Sequence, residues 1–265
     1  MLGDIIEQVI TEAVTDDKPQ RVLSSGSLLE TFDDCLDRVL KQQLQREAEG
    51  TPWRGLRTQY TVAVRISKSA SPIRTLYAHI LKKFGPDNLA AHFRLYPNII
   101  SRRSRGENDA VARALVLFGE AFTQSGYGDH HRQALLSYVL GECRPEDLAR
   151  LGLARNIQDI DDRLFVLGTL FLCVLGQKAK IGTNGEIGPD SRVYLLLSEA
   201  ENLLAVSEET CWAFTHALEH LASDVGPGLT IWMNIQAPDQ GTIQRVQKRL
   251  GTRFTQEWFT HSDLA

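Results

Sequence analysis

Residues 192–204 read RVYLLLSEAENLL, and this stretch decides the fold. Residues 193–197 form an unbroken apolar run led by Val193 and Tyr194, with no glycine or proline inside it. Five residues are too few for a buried helix of ordinary length. They suit a strand covered on both faces, which is the habit of parallel sheets. The run stops at Ser198 and Glu199, with Glu201 two positions on. Strand ends of open parallel sheets face the crevice where ligands bind. Glu199 is therefore a candidate catalytic carboxylate, able to hold a metal-bound water or to act as a base.

Working outward on the C-terminal side, residues 207–223 predict a helix. Ser207 is its cap, and Glu208 and Glu209 suit the positive end of its dipole. The turn Gly226-Pro227-Gly228 leads into LTIWMNIQ, residues 229–236, a second apolar strand with a polar end. Asn234 and Gln236 supply that polar end, though either could simply cap the strand. Residues 240–250 predict a last helix with Arg245, Lys248 and Arg249 on its surface. RFTQEWF, residues 253–259, adds an edge strand. On the N-terminal side a glycine-rich turn follows residues 159–177. Those residues, DIDDRLFVLGTLFLCVLGQ, predict a helix buried nearly all round.

Farther out, residues 3–14 predict a short amphipathic helix and residues 15–27 a polar linker. Residues 28–47 predict a helix with Leu29, Phe32, Leu36 and Val39 in its stripe. QYTVAVRI, residues 59–66, reads as a strand by its β-branched alternation. SKSASPIRT follows, with Pro72 opening a helix that runs to Phe84. A strand, a small-residue loop and a helix form a place where loop amides cradle phosphate. Lys68, Ser69, Arg74 and Thr75 are the candidate nucleotide contacts, and Thr75 and Ser198 the candidate metal ligands. The pattern G-x-x-x-x-G-K-[ST] is not met, because residues 68–75 contain no glycine to take φ > 0 and approach the phosphates.

AAHFRLY, residues 90–96, predicts another strand. SRRSRGEN follows, and its Arg102, Arg103 and Arg105 make a cluster suited to phosphate, on nucleic acid or on a partner's nucleotide. Arg245 and Arg249 are candidates for the same role. Residues 107–124, 130–140 and 145–154 predict helices. His130 and His131 diverge on their helix and have no partner pair at i+4, so they do not predict a metal site.

A formal net charge of −4 leaves nucleic-acid contact to such local patches. Cys35, Cys143, Cys173 and Cys211 stand far apart without a CxxC pair, as reduced thiols do in a cytoplasmic protein. The N-terminal segment lacks the basic region of a signal peptide. The most apolar stretch, residues 164–175, falls short of the roughly 20 residues that span a bilayer. The expectation is a cytoplasmic protein with no membrane segment. No HxH, PD-(D/E)xK or Gly-x-Ser-x-Gly pattern points to a nuclease or another hydrolase.

The alternation of strands and helices predicts an α/β fold, mainly a parallel sheet flanked by helices. Three features follow in order: a βα turn near residue 70, a strand ending in Ser198-Glu199, and a strand ending at Gln236. That order resembles the P-loop ATPases of AAA+ type. Residues 193–199 resemble their Walker B segment, with Glu199 kept and Ser198 where aspartate stands. The interval from QALLSYVLGEC, residues 133–143, to RVYLLLSEAENL is similar to ATP-binding proteins of bacterial exclusion (BREX) phage-defence systems. The resemblance implies a helical segment over 1–50 and an AAA+-like core over 51–265, with a helical insertion at about 107–158. It implies ATP and Mg²⁺ as cofactors, Glu199 as base and Gln236 as sensor. It also implies a nucleotide-dependent switch acting with DNA or a protein partner, in an oligomer or hetero-complex.

The missing P-loop glycines and lysine, and Ser198 in place of aspartate, weaken phosphate cradling and Mg²⁺ holding together. The expectation is therefore a catalytically degenerate subunit working beside an active ATPase or nuclease, with ATP and Mg²⁺ not bound. The alternative is an active divergent ATPase with Arg74 replacing the lysine and Thr75 on the metal. Both readings place the 67–75 loop beside Glu199 at the carboxyl edge of one sheet.

Overall fold

The computed structural model describes residues 20–25, 32, 35, 58–104, 106–176, 191–236, 239–257 and 259–260. The helices expected over 3–14 and 28–47 lie outside these residues, apart from Phe32 and Cys35, which are helical and fully buried. Chain contacts divide the molecule into two units: Met1–Leu76 together with Lys178–Ala265, and Tyr77–Gln177. The helical insertion expected at about 107–158 falls inside the second.

The first unit is built on a parallel sheet. Its strands are β1 (Gln20–Ser25), β2 (Thr58–Arg65), β3 (Ser191–Ser198), β4 (Leu229–Ile235) and β5 (Phe259–Thr260), in the order β2-β3-β4-β1-β5. The apolar run that opened the reading is β3, and every residue from Arg192 to Ser198 is buried. It sits between β2 and β4, where both rows of its backbone groups are paired. Register partners point to the same side of the sheet. One side carries Val62, Val64, Val193, Leu195, Leu197, Ile231 and Met233, all buried. The other carries Arg192, Tyr194, Leu196, Ser198, Thr230, Trp232 and Asn234, and is polar for an interior. Phe32 covers part of that side, with its ring edge-to-face at 5.3 Å from Tyr194 and 5.9 Å from Trp232. Buried Arg192 is anchored by donating to the Pro227 carbonyl at 2.8 Å.

Two helices of this unit follow their sequence signals. α8 (Glu208–Val225) starts at the predicted cap, where Ser207 Oγ accepts from the Thr210 amide at 3.1 Å. α9 (Gln240–Glu257) packs on α8. The linker expected over 15–27 is corrected: Gln20–Ser25 is β1, paired in register with β4 over six positions. Only Val22 and Leu23 are apolar in QRVLSS, so local composition carries no strand signal. Pairing with β4 and β5 makes the strand. RFTQEWF is corrected too. α9 continues through Glu257, and only Phe259–Thr260 pairs with β1.

α1 (Pro72–Phe84) follows β2 and carries the chain across the boundary between the units. In the second unit come α2 (Pro86–Leu95), α3 (Pro97–Arg103), α4 (Asp109–Thr123), α5 (Asp129–Val139), α6 (Pro145–Leu151) and α7 (Ile160–Gly176). Pro86, Pro97 and Pro145 each stand in a first turn, where the missing N–H costs nothing. The strand expected at AAHFRLY is instead the second half of α2. Leu89, Ala90 and Phe93 recur at helical spacing and are buried, while Arg94 and Leu95 face out. α2 packs closely on α4, because Gly119 leaves no Cβ where one would meet the Arg94 amide nitrogen at 2.7 Å. α7 is buried continuously from Asp162 to Phe171, as its apolar pattern predicts. Among the described residues, no helix is long and apolar enough to cross a membrane.

Candidate functional site at the carboxyl edge of the sheet

β2 and β3 are parallel neighbours, so the loop after β2 and the tip after β3 emerge together. The ladder extends one step past β2, where the Ile66 amide donates to the Ser198 carbonyl at 2.9 Å. The expected juxtaposition of the 67–75 loop with Glu199 is present in this sense.

The tip itself is tied down. Glu199 has φ 61° and ψ 44°, and among the described residues no other non-glycine has positive φ. That left-handed turn is held from three sides. Asn202 Nδ2 donates to Glu199 Oε2 at 3.0 Å and to the Ile66 carbonyl at 2.7 Å. The Asn202 amide donates to the Glu199 carbonyl at 2.9 Å. Arg65, at the end of β2, lies 3.4 Å from Glu199 Oε1. Arg65 is largely exposed, so this ion pair adds little stability, and its effect is to orient the carboxylate. Glu201 reaches toward the next strand and accepts from the Gln236 amide at 3.1 Å. Sequence reading missed Arg65 and Asn202. Neither belongs to a spacing pattern, and only the parallel pairing of β2 with β3 brings them to Glu199.

The other candidates are distributed as follows. Lys68 and Arg74 are exposed. The Ser69 hydroxyl lies 3.1 Å from that of Thr75, and Thr75 Oγ1 also donates to the Ser71 carbonyl at 3.4 Å. The Ser69 amide donates to Ser67 Oγ at 3.1 Å. The loop thus satisfies its own polar groups, as a turn before a helix does. Ser198 is fully buried, and its hydroxyl has no hydrogen-bond partner. Gln236 is exposed at the end of β4.

The fit to ATP and Mg²⁺ is poor at the predicted positions. No glycine lies in the loop, the Thr75 hydroxyl is engaged, and Ser198 is enclosed without a carboxylate. Among the described residues, no group of three or more His, Cys, Asp and Glu is arranged to hold a metal ion.

Strand order locates a different crevice. The chain leaves β1 toward the β2 edge and leaves β4 toward the β5 edge. β1 and β4 are neighbours whose onward connections run in opposite directions, each past the other strand. In open α/β sheets ligands bind outside the carboxyl ends of such a pair. Ser24 pairs with Asn234 there and Ser25 with Ile235, with Gln236 just beyond. The 67–75 loop follows β2, at the sheet edge, with β3 standing between it and β4.

The basic candidates fall into both units. In the second, Arg102 is exposed at the end of α3. Arg103 is turned inward: its Nε donates to Thr169 Oγ1 at 3.0 Å, and its guanidinium lies 5.4 Å from the centre of the Phe165 ring. It holds α3 to α7. Arg105 lies outside the described residues. In the first unit, exposed Arg245 donates to Thr242 Oγ1 at 2.8 Å and to the Gly241 carbonyl at 3.3 Å. Arg249 bonds to Glu208 Oε1 at 3.1 Å and to the Val206 carbonyl, which fastens α9 to the start of α8.

A separate buried polar cluster lies in the second unit. Arg155 Nη2 donates to Asp162 Oδ1 at 3.2 Å. Burial pushes the Asp162 carboxyl above the usual range, and Arg155 opposes the rise. The same hydrogen bond holds Arg155 above its own ordinary value. The two shifts are compatible: burial is the largest influence on Asp162, which is 2% exposed, whereas for half-exposed Arg155 the hydrogen bond to Asp162 outweighs burial. Burial also pushes Tyr138 up to about 12. Tyr77 donates to the Val139 carbonyl and is raised by burial as well. With Asp162 capped by Arg155 and Tyr77 satisfied, this cluster is a polar interior, not an open site.

No protein-family model, curated protein or solved structure matches this chain.

Proposed function

We propose that this chain is a catalytically degenerate ATPase-like subunit that acts by assembly, in a DNA-associated defence or mobile-element complex, beside an active ATPase or nuclease. The observation that carries the ATPase-like part is the strand order. It makes β3, which ends in Ser198-Glu199, a direct parallel neighbour of β4, which ends at Gln236, as a Walker B strand and a sensor strand would be in the resemblance. The degenerate part rests on the β3 tip. Phosphoryl transfer is mostly positioning and charge neutralisation. Here the aspartate position is a buried serine hydroxyl, and the one carboxylate kept is bound by Arg65 and Asn202. The carboxyl ends of β1 and β4, with exposed Gln236 just beyond, are where any residual nucleotide contact belongs.

Equilibrium titration with a fluorescent ATP analogue and Mg²⁺ tests this reading. The expected result is no saturable binding up to about 1 mM, weaker than about −4 kcal/mol. Micromolar, Mg²⁺-dependent binding would sink it, and loss of that binding in Arg74→Ala would favour an active divergent ATPase built on the 67–75 loop. For the DNA part, Arg102 is the exposed member of the sequence cluster. Arg102→Ala is expected to lower duplex affinity and the salt slope together. Unchanged DNA affinity in that variant removes the basic cluster from the proposal.

A further inference from the structure

We propose that His216 and His220 form a two-histidine site for a transition-metal cation, Cu²⁺, Ni²⁺ or Zn²⁺, on the outer face of α8. Residues 216–220 read HALEH and lie in the middle of that helix. Histidines at i and i+4 are surface neighbours, with Cβ atoms about 5–6 Å apart. That separation lets two imidazoles share one ion. The same spacing grips zinc from a single helix in metallopeptidases.

The helix phase is fixed by its core side. Ala217 is 1% exposed, and Leu218 and Leu221 are fully buried, so the histidines are held outward, and both are exposed. One turn earlier, Trp212 is 66% exposed and stacks on His216 at 5.1 Å and 22°. Stacking occupies the face of the imidazole, whereas its nitrogen lone pairs lie in the ring plane and stay open. The stack also restricts the ring's rotamers. Glu209, Glu219 and Asp224 on the same helix make the surroundings negative, which favours a cation.

Imidazole is a borderline ligand that suits Cu²⁺, Ni²⁺ and Zn²⁺ and leaves Mg²⁺ and Ca²⁺ to oxygen donors. Hydrolytic zinc centres take three protein ligands. Among the described residues no third side chain completes the set, so water fills the remaining positions and no hydrolytic step is assigned. Cu²⁺ should bind tightest of the three.

The test uses the untagged full chain, with inorganic Cu²⁺, Ni²⁺ and Zn²⁺ as probes. Cu²⁺ quenches a neighbouring indole, so wild-type protein should show saturable Trp quenching. Trp212→Phe should lose that quenching and keep the calorimetric binding isotherm. His216→Ala and His220→Ala should each weaken Cu²⁺ binding by roughly tenfold or more, with helical circular dichroism unchanged. Excess Mg²⁺ should not compete. Wild-type Cu²⁺ affinity and stoichiometry in the double His216→Ala/His220→Ala variant would overturn the proposal. So would quenching that persists unaltered in Trp212→Phe.

Discussion

The two units of this molecule are stabilised in different ways. In the helical unit, Tyr77–Gln177, each backbone bond closes within a turn, and the apolar spacing of the sequence settles which side is buried. In the sheet unit every strand pairs with one far away in the chain: β2 with β3 across more than a hundred residues, β1 with β4 across two hundred. Local sequence is therefore a good guide to the first unit and a partial one to the second. α4 and α7 fall where their stripes predict. β1 does not, because QRVLSS becomes a strand only once β4 is beside it.

That contrast can be broken experimentally. The largest effect is expected from Val22→Pro. β1 lies between β4 and β5, so proline there removes a ladder donor and costs about 3 kcal/mol or more. Hydrogen exchange should show protection lost in β1 and β4. Retained protection would mean that β1 is not the partner that holds β4. Next comes Gly119→Val in the helical unit. The new Cβ would meet backbone of α2 at 2.7 Å, and backbone yields less easily than a side-chain tip. About 1–3 kcal/mol of destabilisation should appear in urea melts. A neutral result would show that α2 and α4 are farther apart in solution.

The smallest effect sharpens the comparison within the helical unit. The folded Asp162 carboxyl holds its proton more tightly than the unfolded one. The folded state therefore binds more protons in that window, and stability falls as pH rises from the ordinary carboxylate range through the raised value. Asp162→Asn should flatten this slope in urea midpoints measured against pH. The opposite sign, with wild type losing stability relative to Asp162→Asn on acidification, would mean that the Arg155 ion pair outweighs burial.

Part of the candidate site was legible in the sequence. The run over 193–197 announced a buried strand, its polar end announced a tip, and Glu199 is at that tip. Its setting was not legible. Arg65 belongs to an edge strand and reads as one polar residue in an alternating stretch. Asn202 sits in the short 3₁₀ turn after the tip, where its side chain spans two strands that the sequence does not show as neighbours. Arg103 was misjudged in the other direction. Three arginines in four positions read as a surface cluster, yet Arg103 turns inward because Thr169 and Phe165 of α7 offer its guanidinium both a hydrogen bond and a ring.

The sequence by itself determined most of the helices, the strands at 58–65, 191–198 and 229–235, and the polar tips of those strands. Periodicity and capping act over a few residues and need no partner to be read. Tertiary structure alone decided that QRVLSS is a strand, that AAHFRLY completes a helix, and that β1 and β4 are neighbours whose connections run in opposite directions. Those outcomes depend on which distant backbone satisfies each N–H and C=O, and no local pattern encodes the identity of that partner.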